Sequence, residues 1–237
     1  MKRIKPHNDL WSKLLIFSLF LLPWNLIAQV PEPNGISPLT PLENCSVDQW
    51  TGDNGLLSNN LTSVFQANDG FLWITTNNGL MRFDGMHLDV YNQESIPFLA
   101  TDAFYKIYQD KSNTLWFASR GNGIVKYSNN EFSQHLPDNN LIPKSLRTLL
   151  IRDDGTMWAG SDNKGLIRIQ DTTVSKISHP WLDDVIIMAV EEGPDNSLLI
   201  GTNNKGLLTY KDGVVNQVSI SNTVDYSVNV IKYTPGD

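Results

Sequence analysis

The sequence predicts an all-β fold, a β-propeller of four-stranded blades, and three observations carry that prediction. The segment Asp69–Gly85 (DGFLWITTNNGLMRFDG) is echoed at 112–127, 154–169 and 196–213. Its anchor positions, Trp73, Trp116, Trp158 and Leu199, are spaced 43, 42 and 41 residues apart, the period of a propeller blade. Each copy divides into short runs of alternating apolar and polar residues bounded by Asn, Asp and Gly, the pattern of half-buried strands joined by tight turns.

The chain opens on an export signal. Lys2, Arg3, Lys5 and Lys13 precede an apolar run of 15 residues, 14–28. That run falls short of the roughly 20 residues a spanning helix needs, is interrupted by Pro23 and Asn25, and ends on the small Ala28. Residues 1–28 are therefore read as a signal peptide cleaved before Gln29, and residues 29–44, with four prolines, as an extended linker.

Propeller repeats are expected over 45–237, with blades at 58–92, 101–135, 144–178 and 184–220 and a partial fifth at 224–237. In the first blade the strands read as Leu61–Gln66, Phe71–Thr75, Leu80–Phe83 and Met86–Tyr91, with Asn-Asp-Gly at 68–70 and Asp-Gly at 84–85 supplying residues that tolerate positive φ. The anchors Trp73, Trp116, Trp158 and Leu199 are expected to wedge blade against blade, and Gly79, Gly123, Gly165 and Gly206 to turn the second strand into the third. Cys45–Trp50 reads as an outermost strand. Residues 227–237 match the first strand of a fifth blade and its turn, so an N-terminal fragment with an incomplete ring of about four and a half blades is expected, in preference to a complete four-bladed protein.

Composition narrows the function classes. The net charge is -7, and removing residues 1–28 leaves 14 basic and 24 acidic residues, a charge of -10. No basic cluster follows the first few residues, so nucleic acid is not expected as a partner. The single cysteine, Cys45, forms no internal disulfide, and stability must come from packing. His87, His135 and His179 lack ligand spacing and no calcium loop occurs, so neither a metal nor another cofactor is expected. Ser161-Asp-Asn-Lys164 superimposes two acyl-transfer motifs within one loop, whereas that chemistry needs them on separate segments. The pairs Asp153-Asp154, Asp183-Asp184 and Glu191-Glu192 could serve acid–base chemistry only if paired across a substrate, and no catalytic residue is predicted.

The pattern D-G-x-L-W-[IV]-G-T-x-x-G-L-x-R-[FY]-D-G, preceded by G-L-x-S-N-x-[LV], resembles the two-component regulator propeller repeat. Gly55–Leu61 and Asp69–Gly85 carry the likeness, which extends over about residues 46–237. Thr75 stands where the family usually has Gly, blade two has Ala118, and Gly160 and Gly201 keep the glycine. The resemblance implies the periplasmic sensor region of a signalling protein anchored in the inner membrane, in which propellers precede a β-sandwich, a membrane helix and an output domain. That output is a histidine kinase, often hybrid and acting in a phosphorelay, or a diguanylate cyclase. No segment of either enzyme occurs here, so this chain is expected to be non-catalytic.

In such a propeller the loops entering each first strand and the turns between second and third strands share one face around the channel. They carry Asn59, Asn60, Asn77, Asn78, Asp102, Arg120, Asn122, Lys144, Asn163, Lys164, Trp181, Asp183, Asn203, Asn204 and Lys205. Amides, charges and a non-repeating aromatic suit an oligosaccharide or another small extracellular signal. Trp181, Arg120, Asn122, Lys144, Asp102, Asp183, Lys164 and Lys205 are the ligand candidates. Asn77, Asn78, Asn203 and Asn204 are read as turn formers. The leading expectation is an exported sensory propeller, with a homodimer formed through the full-length sensor. The alternative is a secreted free-standing propeller acting as a carbohydrate-binding or protein-interaction scaffold.

Overall fold

A computed structural model describes residues 49–219 and 226–234. The predicted signal peptide, the linker and most of the Cys45–Trp50 segment lie outside the described residues, and Gln49 and Trp50 themselves are not in a strand. From Trp50 onward the chain forms one compact unit.

Among the described residues, sixteen strands make four antiparallel four-stranded sheets, each a meander of sequential neighbours. Blade one holds β1 (Leu61–Gln66), β2 (Leu72–Thr76), β3 (Gly79–Phe83) and β4 (Leu88–Tyr91). Blade two holds β5 (Phe104–Gln109), β6 (Leu115–Ser119), β7 (Ile124–Ser128) and β8 (Glu131–Gln134). Blade three holds β9 (Leu146–Ile151), β10 (Met157–Ser161), β11 (Leu166–Gln170) and β12 (Thr173–Ile177). Blade four holds β13 (Ile187–Glu192), β14 (Leu198–Thr202), β15 (Leu207–Lys211) and β16 (Val214–Gln217). The first strands are neighbours from blade to blade, β1 with β5, β5 with β9 and β9 with β13, which makes them the innermost strands of a propeller. β4 starts two residues later than the sequence suggests, because Asp84 Oδ1 accepts hydrogen bonds from the Met86 and His87 amides and holds both in the turn.

Core packing runs between blades. Trp73, wholly buried, lies 4.9 Å from the Tyr127 ring and 5.6 Å from Phe117, both in blade two. Trp116 packs among Leu149, Ile151 and Met157 of blade three. Trp158 joins Leu198, Ile200 and Leu208 of blade four, with the Tyr210 ring 5.4 Å away. Leu199 is half-buried. On β1, Leu61 is 40% and Val64 56% exposed, whereas their equivalents Phe104 and Ile107 on β5 are buried beneath blade one. No blade precedes β1 among the described residues, which accounts for the difference.

A second contact sets how closely blades approach. A Cβ on Gly160 of β10 would lie 2.5 Å from Cγ2 of Ile187 on β13. One on Gly201 of β14 would lie 2.4 Å from the carbonyl oxygen of Val228, 41 residues after Ile187. Val228 also donates its amide to the Thr202 carbonyl at 2.9 Å, so residues 226–234 lie where the inner strand of a next blade begins. Blade one replaces the glycine by Thr75, whose hydroxyl is 2.8 Å from that of Thr62. Thr62 in turn donates to the Phe104 carbonyl of blade two at 2.6 Å.

These contacts yield two expected outcomes in urea unfolding. Trp73→Ala costs about 3–5 kcal/mol, and the exposed Val64→Ala well under half of that; equal costs for the two would refute the wedge. Gly160→Val costs about 1–3 kcal/mol through overpacking, and an unchanged midpoint would show that the blades do not meet there.

Candidate functional site

Each turn between second and third strands is built on a buried hydroxyl. Thr76, Ser119, Ser161 and Thr202 donate to the carbonyls of Gly79, Gly123, Gly165 and Gly206 at 2.9–3.1 Å. The same oxygens accept the amides of Asn78, Asn122, Lys164 and Lys205 at 2.8–3.2 Å. All four glycines have positive φ, and at Gly165 a Cβ would lie 2.3 Å from the Leu182 carbonyl oxygen. Ser161, part of the apparent Ser-x-x-Lys motif, is thus a turn clamp with no exposed surface.

These turns and the loops entering the inner strands surround an axial cavity of about 630 Å³. Asn60, Asn77 and Arg120 contribute from the loops. The inner strands contribute Thr62, Ser63, Tyr105, Lys106, Arg147, Thr148 and Glu191, and Asn229 and Val230 close one side. Arg147 stacks on the Tyr105 ring with its guanidinium carbon 4.4 Å from the centroid, and its Nε pairs with Asp162 at 2.5 Å. Ser145 adds a second hydrogen bond to Asp162. Lys106 and Arg120 have no ion-pair partner within 4.0 Å among the described residues. Burial pushes the Glu191 carboxyl above its ordinary range, against the pull of Lys106 and Lys232 and with repulsion from Glu192. The wall therefore offers two unpaired cations, a cation held on an aromatic ring and one carboxyl, among hydroxyl and amide groups. That arrangement can hold a polyhydroxylated or anionic solute by hydrogen bonds.

Of the eight ligand candidates taken from the loops, Arg120 alone lines this cavity. Asn122 is 2% exposed and its amide group is spent: Oδ1 accepts from Ala100 N and Nδ2 donates to the Thr101 carbonyl, so it braces the loop and presents no surface to a ligand. Asp102 accepts the Gln93 amide at 2.6 Å, and Asp183 pairs with Lys176 at 2.6 Å. Lys144 gives its carbonyl to the Gly121 and Gly123 amides and keeps its side chain exposed. Lys164 Nζ donates to the Asn140 carbonyl, while Lys205 Nζ sits 6.0 Å from the centroid of Trp181, which is 36% exposed. Trp181 and Lys205 thus form a pair apart from the cavity, and Asp183 is held by Lys176. Asn203, read from sequence as a turn former, instead braces the loop entering blade four by accepting the Ile186 amide at 3.1 Å, and it is not among the positive-φ residues.

The sequence reading missed Tyr105, Lys106 and Arg147 and considered Glu191 only as one of a carboxylate pair. A signal was present, since each interrupts an inner strand whose other positions are largely apolar. The paired carboxylates are separated by the pleat or by their own turns. Glu192 pairs with Arg152 at 3.2 Å on the opposite side from Glu191. Asp153 pairs with Lys111 at the surface, and Asp154 accepts the Thr156 amide at 2.8 Å.

Residues 55–78 match the family model described as two component regulator propeller. No curated protein matches the chain. Among solved structures, the chain is similar to the extracellular domain of a protein described as the hybrid two component system BT3049 from B. thetaiotaomicron. That match has 19% identity and a TM-score of 0.58, over 75% of this chain and 24% of that one. The extracellular domain of BT4673 from the same organism, described as a one component system, matches at 23% identity and a TM-score of 0.57, over 71% of this chain and 23% of that one. Virginiamycin B lyase from Staphylococcus aureus matches at 16% identity and a TM-score of 0.55, over 69% of this chain and 56% of that one. The chain spans about a quarter of the two extracellular domains, and likenesses at these identities establish the propeller fold. The chain is thus a β-propeller whose residues 55–78 match the two-component regulator propeller repeat.

Proposed function

We propose that the chain is the sensory, ligand-recognising propeller of an exported signalling protein, non-catalytic in itself, and that its ligand enters the axial cavity. The carrying observation is the unpaired Lys106 and Arg120 facing a polar wall inside an otherwise acidic chain. An unpaired cation on an inner strand gives nothing to folding, since inter-blade packing is already supplied by the apolar positions, and it is suited to hold a solute. The matched repeat and the extracellular domains of similar fold support an exported setting. The solute class that fits is an oligosaccharide or a comparably small extracellular molecule rich in hydroxyl or carboxyl groups.

The test is calorimetric titration of the purified chain against neutral and uronate-containing oligosaccharides. Saturable binding is expected, weakened about tenfold or more by Lys106→Ala and by Arg120→Ala, the scale of one lost charge-assisted hydrogen bond. Binding that both substitutions leave unchanged, or no binding to any member of either class, overturns this assignment of the cavity.

Glu191 adds a pH dependence. Its folded-state carboxyl titrates above its unfolded value, so the charged form disfavours folding and the cost appears as pH rises through that window. Glu191→Gln is therefore expected to raise the urea midpoint at pH 7 and to match the parent chain at about pH 3, beneath the ordinary glutamate range. An equal offset at both pH values would show that charge is not the cause.

A further inference from the structure

A second site lies away from the axial cavity, in the groove between blades three and four. The groove has a volume of about 280 Å³ and is lined by Arg152, Trp158, Arg168, Tyr210 and Lys211, with Asp154 and Asp212 at turns. Two buried donors on its wall, Trp158 Nε1 and Arg168 Nε, have no acceptor. The Arg168 guanidinium carbon is 5.9 Å from the Trp158 ring centroid, so the two donors belong to one small region.

Single blades differ at each of these donors, although the Trp73 indole of blade one, like that of Trp158, has no acceptor. In blade two the equivalent indole, that of Trp116, donates to Asp110 Oδ2 at 2.8 Å. Asp110 follows β5 directly; the residue that follows β9 is Arg152, which turns its charge to Glu192 and its Nη2 to the carbonyls of Asn196 and Ser197. In blade one the equivalent of Arg168 is Arg82, which lies across from Asp89 and makes two hydrogen bonds to its carboxylate at 2.8 and 3.2 Å. The residue across from Arg168 is Ser175, and the only side-chain bond of the Arg168 guanidinium among the described residues is to Gln170 Oε1 at 2.8 Å. Blade three thus lacks both the carboxylate that answers the indole in blade two and the one that answers the arginine in blade one. Of the remaining acids, Asp154 accepts the Thr156 amide within its own hairpin, and the charges of Arg152 and Arg168 add to that bond in holding its carboxyl below the usual range, without an ion pair to either among the described residues.

The geometry points to a binding site for a single oxyanion, the carboxylate or sulfate group of a small solute, held by Arg168 and the Trp158 indole N–H. A half-buried guanidinium without a counter-ion and a buried N–H without an acceptor each carry a desolvation cost that one bound oxyanion removes. The inference stands on blade three alone and is independent of what the axial cavity binds.

The experiment follows the indole N–H resonance of Trp158, assigned by its absence in Trp158→Phe, while the chain is titrated at constant ionic strength with sodium sulfate, with sodium glucuronate and with sodium chloride. A saturating shift with sulfate or glucuronate and not with chloride is expected, and the stronger of the two names the group. Arg168→Gln should weaken that binding about tenfold or more, one charge-assisted hydrogen bond's worth. Ser175→Asp, which gives blade three the carboxylate that blade one has, should abolish the shift while leaving the fold and its unfolding midpoint intact or improved. A drift common to all three salts, or saturation undiminished in Ser175→Asp, overturns the site.

Discussion

The near contact between each inner strand and the second strand of the blade before it governs the rest of the structure. At Gly160 and Gly201 the approach leaves no room for a side chain, and at Thr75 it is bridged through paired hydroxyls. That spacing fixes how far apart the inner strands stand, and with it the width of the axial cavity. Outside it the tryptophan wedges fill what the twist of neighbouring sheets leaves open, so the apolar energy of the fold lies between blades more than within them. The buried hydroxyl clamps then hold each turn against its own blade, and with the Arg120 amide donating to the Ala103 carbonyl they put Asn77 and Arg120 at the cavity mouth.

Within that frame, function can be carried only by residues the frame does not consume. The fold itself does not choose, since extracellular domains of signalling systems and a lyase share it. Most polar residues of the loops are consumed: Asn122 and Asn203 brace main chain, Asp102 ties Gln93, and Asp183 meets Lys176. Lys106 and Arg120 are not. Arg147 is an intermediate case, because Asp162 neutralises its charge while its stacking on Tyr105 leaves a flat, cation-capped surface toward the cavity.

The strands were legible because their chemistry is local. Alternation and the Asn, Asp and Gly turn residues place β1 to its exact ends and β2 and β3 within a residue, and the period of the anchors carries the pattern to every blade. β4 begins late because a side-chain acceptor, Asp84, competes with sheet pairing for the Met86 and His87 amides, a choice that alternation does not reveal. With the backbone amides of those two residues holding it, the Asp84 carboxyl titrates at about 2. The site was less legible, since a loop residue's freedom depends on partners distant in sequence. Asn122 looks like any exposed amide until the loop at 100–101 closes over it. The cavity-lining charges lie on strands, where a reading for loop residues does not search.

Repetition supplies what a single domain lacks, an internal reference for each position. Where all four blades agree, as at the hydroxyl clamps, the shared chemistry is that of the blade itself. Where one blade departs, the departure isolates a residue the blade does not require, and its cost must be met by something else. Lys106 stands where blade three has Thr148 and blade four Ala189, both well buried, so the inner strand tolerates small neutral residues there and gains no packing from a lysine. Arg152 and Ser175 depart in a complementary sense, one adding positive charge to the groove and the other withholding a carboxylate across from Arg168. Arg168 is left half-buried with no ion pair within 4.0 Å among the described residues. Such a group is retained at a cost to stability, and a ligand that answers it explains why the cost is borne.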